Sequence, residues 1–254
     1  MQLKPNAFKR ALAQGGNQIG IWCSMCSPIG AELMGDTGFD WILLDTEHAP
    51  NDPMQVMHLL QAVQGGNTPA VVRVAWNDAV LIKRLLDVGA QSLLVPYVQN
   101  EDEAARAVSA VRYPPLGVRG VAGNARATRF GRIPDYFAKA DGEICLLVQA
   151  ETLDAVSRIE AIGKVDGVDG IFIGPADLSA SMGLLGQPRH PEVMKVIVDA
   201  IKRIRKTGKA AGFLTPNVDD AKMLIQAGAN FCAVGSDTGI LVAGTAALVK
   251  TFKG

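Results

Sequence analysis

The sequence predicts a single (β/α)8 barrel spanning residues 1–254, an α/β fold closed by eight parallel strands. Three observations lead there. Short apolar runs recur eight times, and each is followed by turn residues and a segment of helical period. The runs also lack the alternation of strands with one wet face, as expected when helices cover a parallel sheet. A doubly wound open sheet is the competing architecture, but no G-x-G-x-x-G follows the first strand. No linker divides the chain into two domains.

The first two strands are IGIWCS (19–24) and DWILLD (40–45). Asp52 as N-cap and Pro53 in the first turn then open the helix PMQVMHLLQAV. AVVRVA (70–75) is the third strand, and AVLIKRLLDVG is a helix stopped by Gly89. The fourth strand, SLLVPYV (92–98), leads into EDEAARAVSAV, whose three leading acids suit the positive end of a helix dipole. A connection of more than forty residues separates VPYV from the fifth strand, ICLLVQAE (144–151); such a length marks a functional or interface element. GIFIG (170–174) is sixth. The helix from Pro191 to Gly208, the strand AAGFL (210–214), a helix closing near Gly228 and the strand FCAVG (231–235) complete the set.

Composition narrows the partners. Apolar residues make up 48% and charged residues 20%, ordinary for a soluble globular protein. Lys+Arg and Asp+Glu are 25 each, so no basic excess points to nucleic acid. No run approaches the roughly 20 apolar residues of a membrane span, and MQLKPNAFKRALAQGG has no signal-peptide core. A cytoplasmic protein with no membrane partner is expected. Cys23 and Cys26 have C-x-x-C spacing without a second pair to complete a zinc site. With Cys145 and Cys232 they read as buried reduced thiols.

Function in such a barrel sits at the C-terminal strand ends. Strand two ends in Asp45, with Glu47 and His48 just beyond; strand three carries Arg73; strand five ends in Gln149-Ala150-Glu151; GPADLSASMG, with Asp177, follows strand six. Glu151 and Asp177 top successive strands, and two carboxylates without a compensating base suit a hard divalent cation, Mg²⁺ or Mn²⁺. Asp177 alone could equally be a helix N-cap. Arg73 in an apolar run needs a carboxylate or an anion facing it, either an ion pair with Asp45 or Asp87 or developing negative charge on a substrate. His48 is the general-base candidate, with Asp45 or Asp87 to orient it. His58 and His190 read as structural. No lysine falls at a strand's C-terminal end: Lys209 precedes its strand, which disfavours imine chemistry. Glu47 is open between a supporting contact at the metal and helix-start packing.

The segments DTEHAP, VVRV, LLVPYVQNEDEA, GVRGVAG, RATRFGRIPDY, LLVQAET and GIFIGPADLSASMG resemble the HpcH/HpaI family of class II pyruvate aldolases, in order and over nearly the whole chain. The resemblance implies a homohexamer, a trimer of dimers, whose C-terminal helix packs on a neighbouring subunit. Glu151 and Asp177 would hold Mg²⁺ or Mn²⁺, or Co²⁺, with Gln149 and the backbone near Ala176 holding a 2-oxo acid. Arg73 would stabilise its enolate, His48 would move the proton, and Asp45 and Asp87 would support it. Trp22, Phe172 and Leu214 would wall the site of the aldehyde acceptor. Arg119, Arg126, Arg129 and Arg132 in the long connection would serve subunit contacts or an acidic acceptor tail. A citrate-lyase-β-like cleavage of acyl-CoA thioesters and a non-catalytic barrel are the alternatives.

Overall fold

All eight expected strands form: β1 (Gln18–Cys23), β2 (Trp41–Asp45), β3 (Ala70–Arg73), β4 (Ser92–Val95), β5 (Cys145–Ala150), β6 (Gly170–Ile173), β7 (Ala210–Leu214) and β8 (Phe231–Ser236). Each pairs in parallel with the next, and β8 returns to β1, in a computed structural model that describes residues 1–254. β4 stops three residues before its expected end. Pro96 has no N–H to donate to the ladder, and Tyr97 turns into the left-handed region at φ 55.

Side chains alternate across each strand, and the alternation places the site. Ile42, Leu44, Val72, Leu146, Val148, Ile171 and Ile173 point outward into the layer shared with the helices. Trp22, Trp41, Leu43, Val71, Leu147, Phe172 and Phe231 point inward and fill the barrel. Asp45, Arg73 and Gln149 continue the inward parity at the C-terminal ends, where the filling ceases to be apolar.

The N-terminal end is plugged by a helix that the sequence pattern did not disclose, Ala7–Ala13. Phe8 is fully buried, its ring centroid 5.6 Å from that of Trp41 and 6.3 Å from that of Phe231. Glycine at 20 and 212 makes room for these rings, since a β-carbon at either position would overlap Trp41 or Phe231.

The helices begin and end where the turn chemistry places them. Asp52 Oδ1 accepts the Gln55 N–H at 2.8 Å and caps Pro53–Val63. Gly89, at φ 102, follows the helix Ala79–Asp87. The long connection folds back beneath the barrel as a short 3-10 turn, Arg126–Thr128, and a helix, Tyr136–Glu143. There Arg126 Nη1 donates to Val88 O at 2.6 Å. Cys23, Cys145 and Cys232 are buried thiols, and Cys26 is half-buried. The last helix, Asp237–Lys253, buries none of its residues within the chain and exposes Ile240, Leu241, Val242, Leu248, Val249 and Phe252. No helix is long and apolar enough to cross a membrane.

Candidate active site

Asp45 and Arg73 are register partners on β2 and β3, so their side chains enter the mouth of the barrel side by side. Arg73 donates through Nε to Asp45 Oδ1 at 2.8 Å and through Nη2 to Oδ2 at 2.6 Å, a two-point fork. Its third nitrogen, Nη1, lies 2.9 Å from Glu47 Oε2, a charge contact without hydrogen-bond alignment. Trp22 closes the arrangement. Its ring lies 4.9 Å from the guanidinium carbon, and its Nε1 donates to Asp45 Oδ2 at 3.4 Å. Burial pushes the Asp45 carboxyl up, but the hydrogen bonds and charge of Arg73 outweigh it and hold Asp45 below the usual carboxylate range.

Glu151, just past β5, is almost wholly buried. Its Oε1 accepts the backbone N–H of Tyr97 at 2.8 Å, and its Oε2 accepts from Gln149 Nε2. Gly174, at the end of β6, leaves the space these two side chains occupy; a β-carbon there would overlap Glu151 Oε2. Asp177 is exposed in the first turn of the helix Pro175–Ser181. Its side chain makes no N-cap bond, and Gly174 stands at the cap position. The capping role open to it in the sequence is therefore not the one it takes.

Four carboxylates, Asp45, Glu47, Glu151 and Asp177, share one guanidinium that two of them already engage. Burial and the surplus together raise two of them, Glu151 and Glu47. Burial pushes Glu151 up to about 7, against its bonds from Gln149 and Tyr97 and with help from Asp177 and Glu47. Burial likewise raises Glu47 to about 6, with Arg73 opposing and Asp45 and Asp177 adding to the shift. The buried Gln149 Oε1 has no hydrogen-bond partner. An all-oxygen donor set with excess negative charge suits a hard divalent cation.

These shifts fix a pH dependence. Glu151 and Glu47 bind their protons more tightly folded than unfolded, so this contribution favours folding at low pH. It is lost as pH rises from about 4.5 to about 7. A dication bound there would restore what ionisation removes. In calorimetry, Mn²⁺ added to metal-free protein should raise Tm more at pH 7.5 than at pH 5, and Glu151→Gln should flatten that difference. An equal rise at both pH values would refute the assignment.

Several expected roles need correction. Asp45 does not hold the imidazole of His48: the one His48 group it bonds is the backbone N–H, at 3.4 Å to Oδ1, because Arg73 claims the carboxylate. The His48 side chain is 67% exposed, and its Nε2 faces Glu47 Oε1 at 3.9 Å. Asp87 is not at this site. The helix Ala79–Asp87 runs back from the C-terminal end of β3, so its last residue lies at the opposite face, 3.9 Å from Arg119 Nη2. Arg119, buried over the Tyr113 ring, and Arg126, on Val88 O, lie at that face too, and Arg129 lines a cavity there with Met1 to Lys4. None of the three lines the mouth of its own chain.

Trp22 and Phe172 do meet, with ring centroids 5.6 Å apart, and Leu214 packs against their cluster. Ala176 stands beside Asp177. The sequence reading missed Tyr97, whose backbone N–H holds Glu151, and left Glu47 open where the structure seats it against Arg73. The spacing of DTEH carries no sign of the latter, and only a positive φ marks the former.

Known proteins share this sequence and this fold. A family profile described as HpcH/HpaI aldolase/citrate lyase matches residues 18–243. A protein named pyruvate aldolase from Rhizobium etli is 55% identical over 99% of both chains. A Klebsiella pneumoniae protein named 4-hydroxy-2-oxo-heptane-1,7-dioate aldolase is 54% identical over 97% of this chain and 94% of its own. The crystal structure of an HpcH/HpaI aldolase/citrate lyase family protein from Burkholderia cenocepacia superposes with a TM-score of 0.94. It shares 35% identity and covers 98% of this chain and all of its own.

Proposed function

The chain belongs to the HpcH/HpaI aldolase/citrate lyase family, and from that premise we propose that it is a divalent-metal-dependent aldolase. It joins pyruvate, or a close 2-oxo acid such as hydroxypyruvate, to an aldehyde, and cleaves the resulting 4-hydroxy-2-oxo acid. The observation that carries this reading is the buried Glu151, pushed up to about 7 in a cluster of carboxylates facing one cation. A pocket of that charge is costly to ionise and gains from binding a dication.

Glu151 and Asp177 would hold Mg²⁺ or Mn²⁺, which would supply Lewis acidity at the ketone of the 2-oxo acid. Gln149 keeps Glu151 in place, and Tyr97 fixes its other oxygen. Arg73, clamped between Asp45 and Glu47, presents a cation that cannot swing away, placed to stabilise an enolate oxygen. His48 Nε2 stands open to solvent beside this cluster and moves the proton of the C3 methyl to and from bulk water. Trp22, Phe172 and Leu214 form an apolar wall that keeps water from the carbanion. The apolar stripe of Asp237–Lys253 packs on a neighbouring copy in a homohexamer.

The test is exchange of deuterium into the methyl group of pyruvate, followed by NMR. Exchange should depend on added Mg²⁺ or Mn²⁺ and stop on chelation. Exchange that persists after complete metal removal would overturn the reading, and a pyruvate adduct trapped by borohydride would replace it with lysine chemistry.

A further inference from the structure

Trp76 and Tyr97 stand on the C-terminal rim, three residues past Arg73 and two past Val95. Their rings stack with centroids 5.6 Å apart and planes 26° from parallel. Both remain 52% and 41% exposed, so each ring keeps an open face. Tyr97 sits at φ 55, an unfavourable conformation for a residue with a β-carbon. Two bonds from the reaction centre hold it there: its own N–H donates to Glu151 Oε1 at 2.8 Å, and the next residue, Val98, donates to Gln149 O at 3.0 Å. Strain of this kind persists where the surroundings over-determine it, typically at a site. Trp76 is anchored in turn, because Asp78 N–H donates to its carbonyl at 2.8 Å and Asn77 Nδ2 to Glu103 O at 3.0 Å. Tyr97 is thus tied directly to the Glu151 carboxylate, and Trp76 is tied to it through the stack with Tyr97.

We propose that the open faces of Trp76 and Tyr97 form a stacking platform for the aromatic ring of an aryl aldehyde acceptor. In the reverse direction the enzyme then cleaves 4-hydroxy-2-oxo acids that carry an aromatic ring on C4. The inference rests on the aldolase reading. Pyruvate C3 loses a proton and forms the new carbon–carbon bond to the aldehyde carbon; the aldehyde oxygen gains a proton, and nothing is oxidised or reduced. The aldehyde carbonyl faces Arg73 and Glu151 while its ring lies outward on the rim. Aromatic faces offer area and quadrupole attraction but no directed hydrogen bond, so they suit a planar apolar group better than a polyhydroxylated chain.

The test compares benzaldehyde with acetaldehyde as acceptors at saturating pyruvate, in wild type, Trp76→Leu and Trp76→Phe. Trp76→Leu should lower kcat/KM for benzaldehyde about tenfold and leave acetaldehyde within about twofold, and Trp76→Phe should recover most of the loss. Methyl exchange of pyruvate alone should be the same in all three proteins. Equal losses for both aldehydes, or no loss for either, would overturn the platform. So would a change of assembly mass by light scattering with the aldehyde ratio intact, which would place the pair under a second copy. Failure of the aldolase reading is separable, since wild type would then show no metal-dependent exchange at all.

Discussion

Glu151→Gln should lower metal-dependent exchange of the pyruvate methyl group by about 10³-fold, the loss of roughly 4 kcal/mol of transition-state stabilisation. The substitution keeps the shape of the side chain and an acceptor for the Tyr97 N–H, so the local backbone should not move. It removes the charge that makes the pocket attractive to a dication. Stability should move the other way. At pH 7.5 the metal-free variant should match or exceed metal-free wild type in Tm, because a buried carboxylate pushed up to about 7 no longer has to ionise. Mn²⁺ should stabilise wild type and leave the variant nearly unchanged. A variant that retains exchange within tenfold of wild type, at equal metal, would remove Glu151 from the site.

Much of this architecture was legible because the strands announce themselves twice, by apolar composition and by the turn residues after them. The parity of a strand also tells which way its end points, so Asp45, Arg73 and Gln149 could be assigned to one mouth from the sequence. The pairing between strands could not. Arg73 sits 28 residues from Asp45, and only the register of β2 on β3 sets them opposite each other. His48, three residues from Asp45, looked the nearer partner. A buried guanidinium left unpaired costs far more than an exposed imidazole left in water, so Arg73 takes the carboxylate. Asp87 misled for a related reason. A nine-residue helix carries its end about 13 Å from its start, from the mouth to the opposite face. Tyr97 was invisible because nothing in VPYVQN marks a left-handed tyrosine; a carboxylate arriving from β5 holds it there. The last helix was legible as an apolar segment, but what its exposed face packs on lies outside the chain.

Arg73→Met should separate the catalytic from the structural share of the guanidinium. Removing it leaves Asp45 buried at the mouth with only the Trp22 N–H and two backbone N–H groups as partners. Breaking a buried pair in this way costs about 3–5 kcal/mol. The loss should depend on pH with a fixed sign. In wild type Arg73 depresses Asp45, which contributes stability above its unfolded value and loses it as pH falls. In the variant burial acts unopposed and raises Asp45, so folding is penalised as pH rises past the ordinary carboxylate range. The difference between the two proteins in urea denaturation should therefore be small near pH 3.5 and widen towards pH 7. The double variant Asp45→Asn, Arg73→Met should regain part of that stability, since Asp45 is then no longer a buried unpaired charge and only Glu47 is left without its cation. Methyl exchange should not return with it. Its rate should stay about 10²-fold or more below wild type in both variants, because the cation proposed to face the enolate is absent from each. Equal destabilisation at both pH values would mean that Asp45 is not the group Arg73 neutralises. Recovery of exchange in the double variant would mean that the cation serves the fold alone.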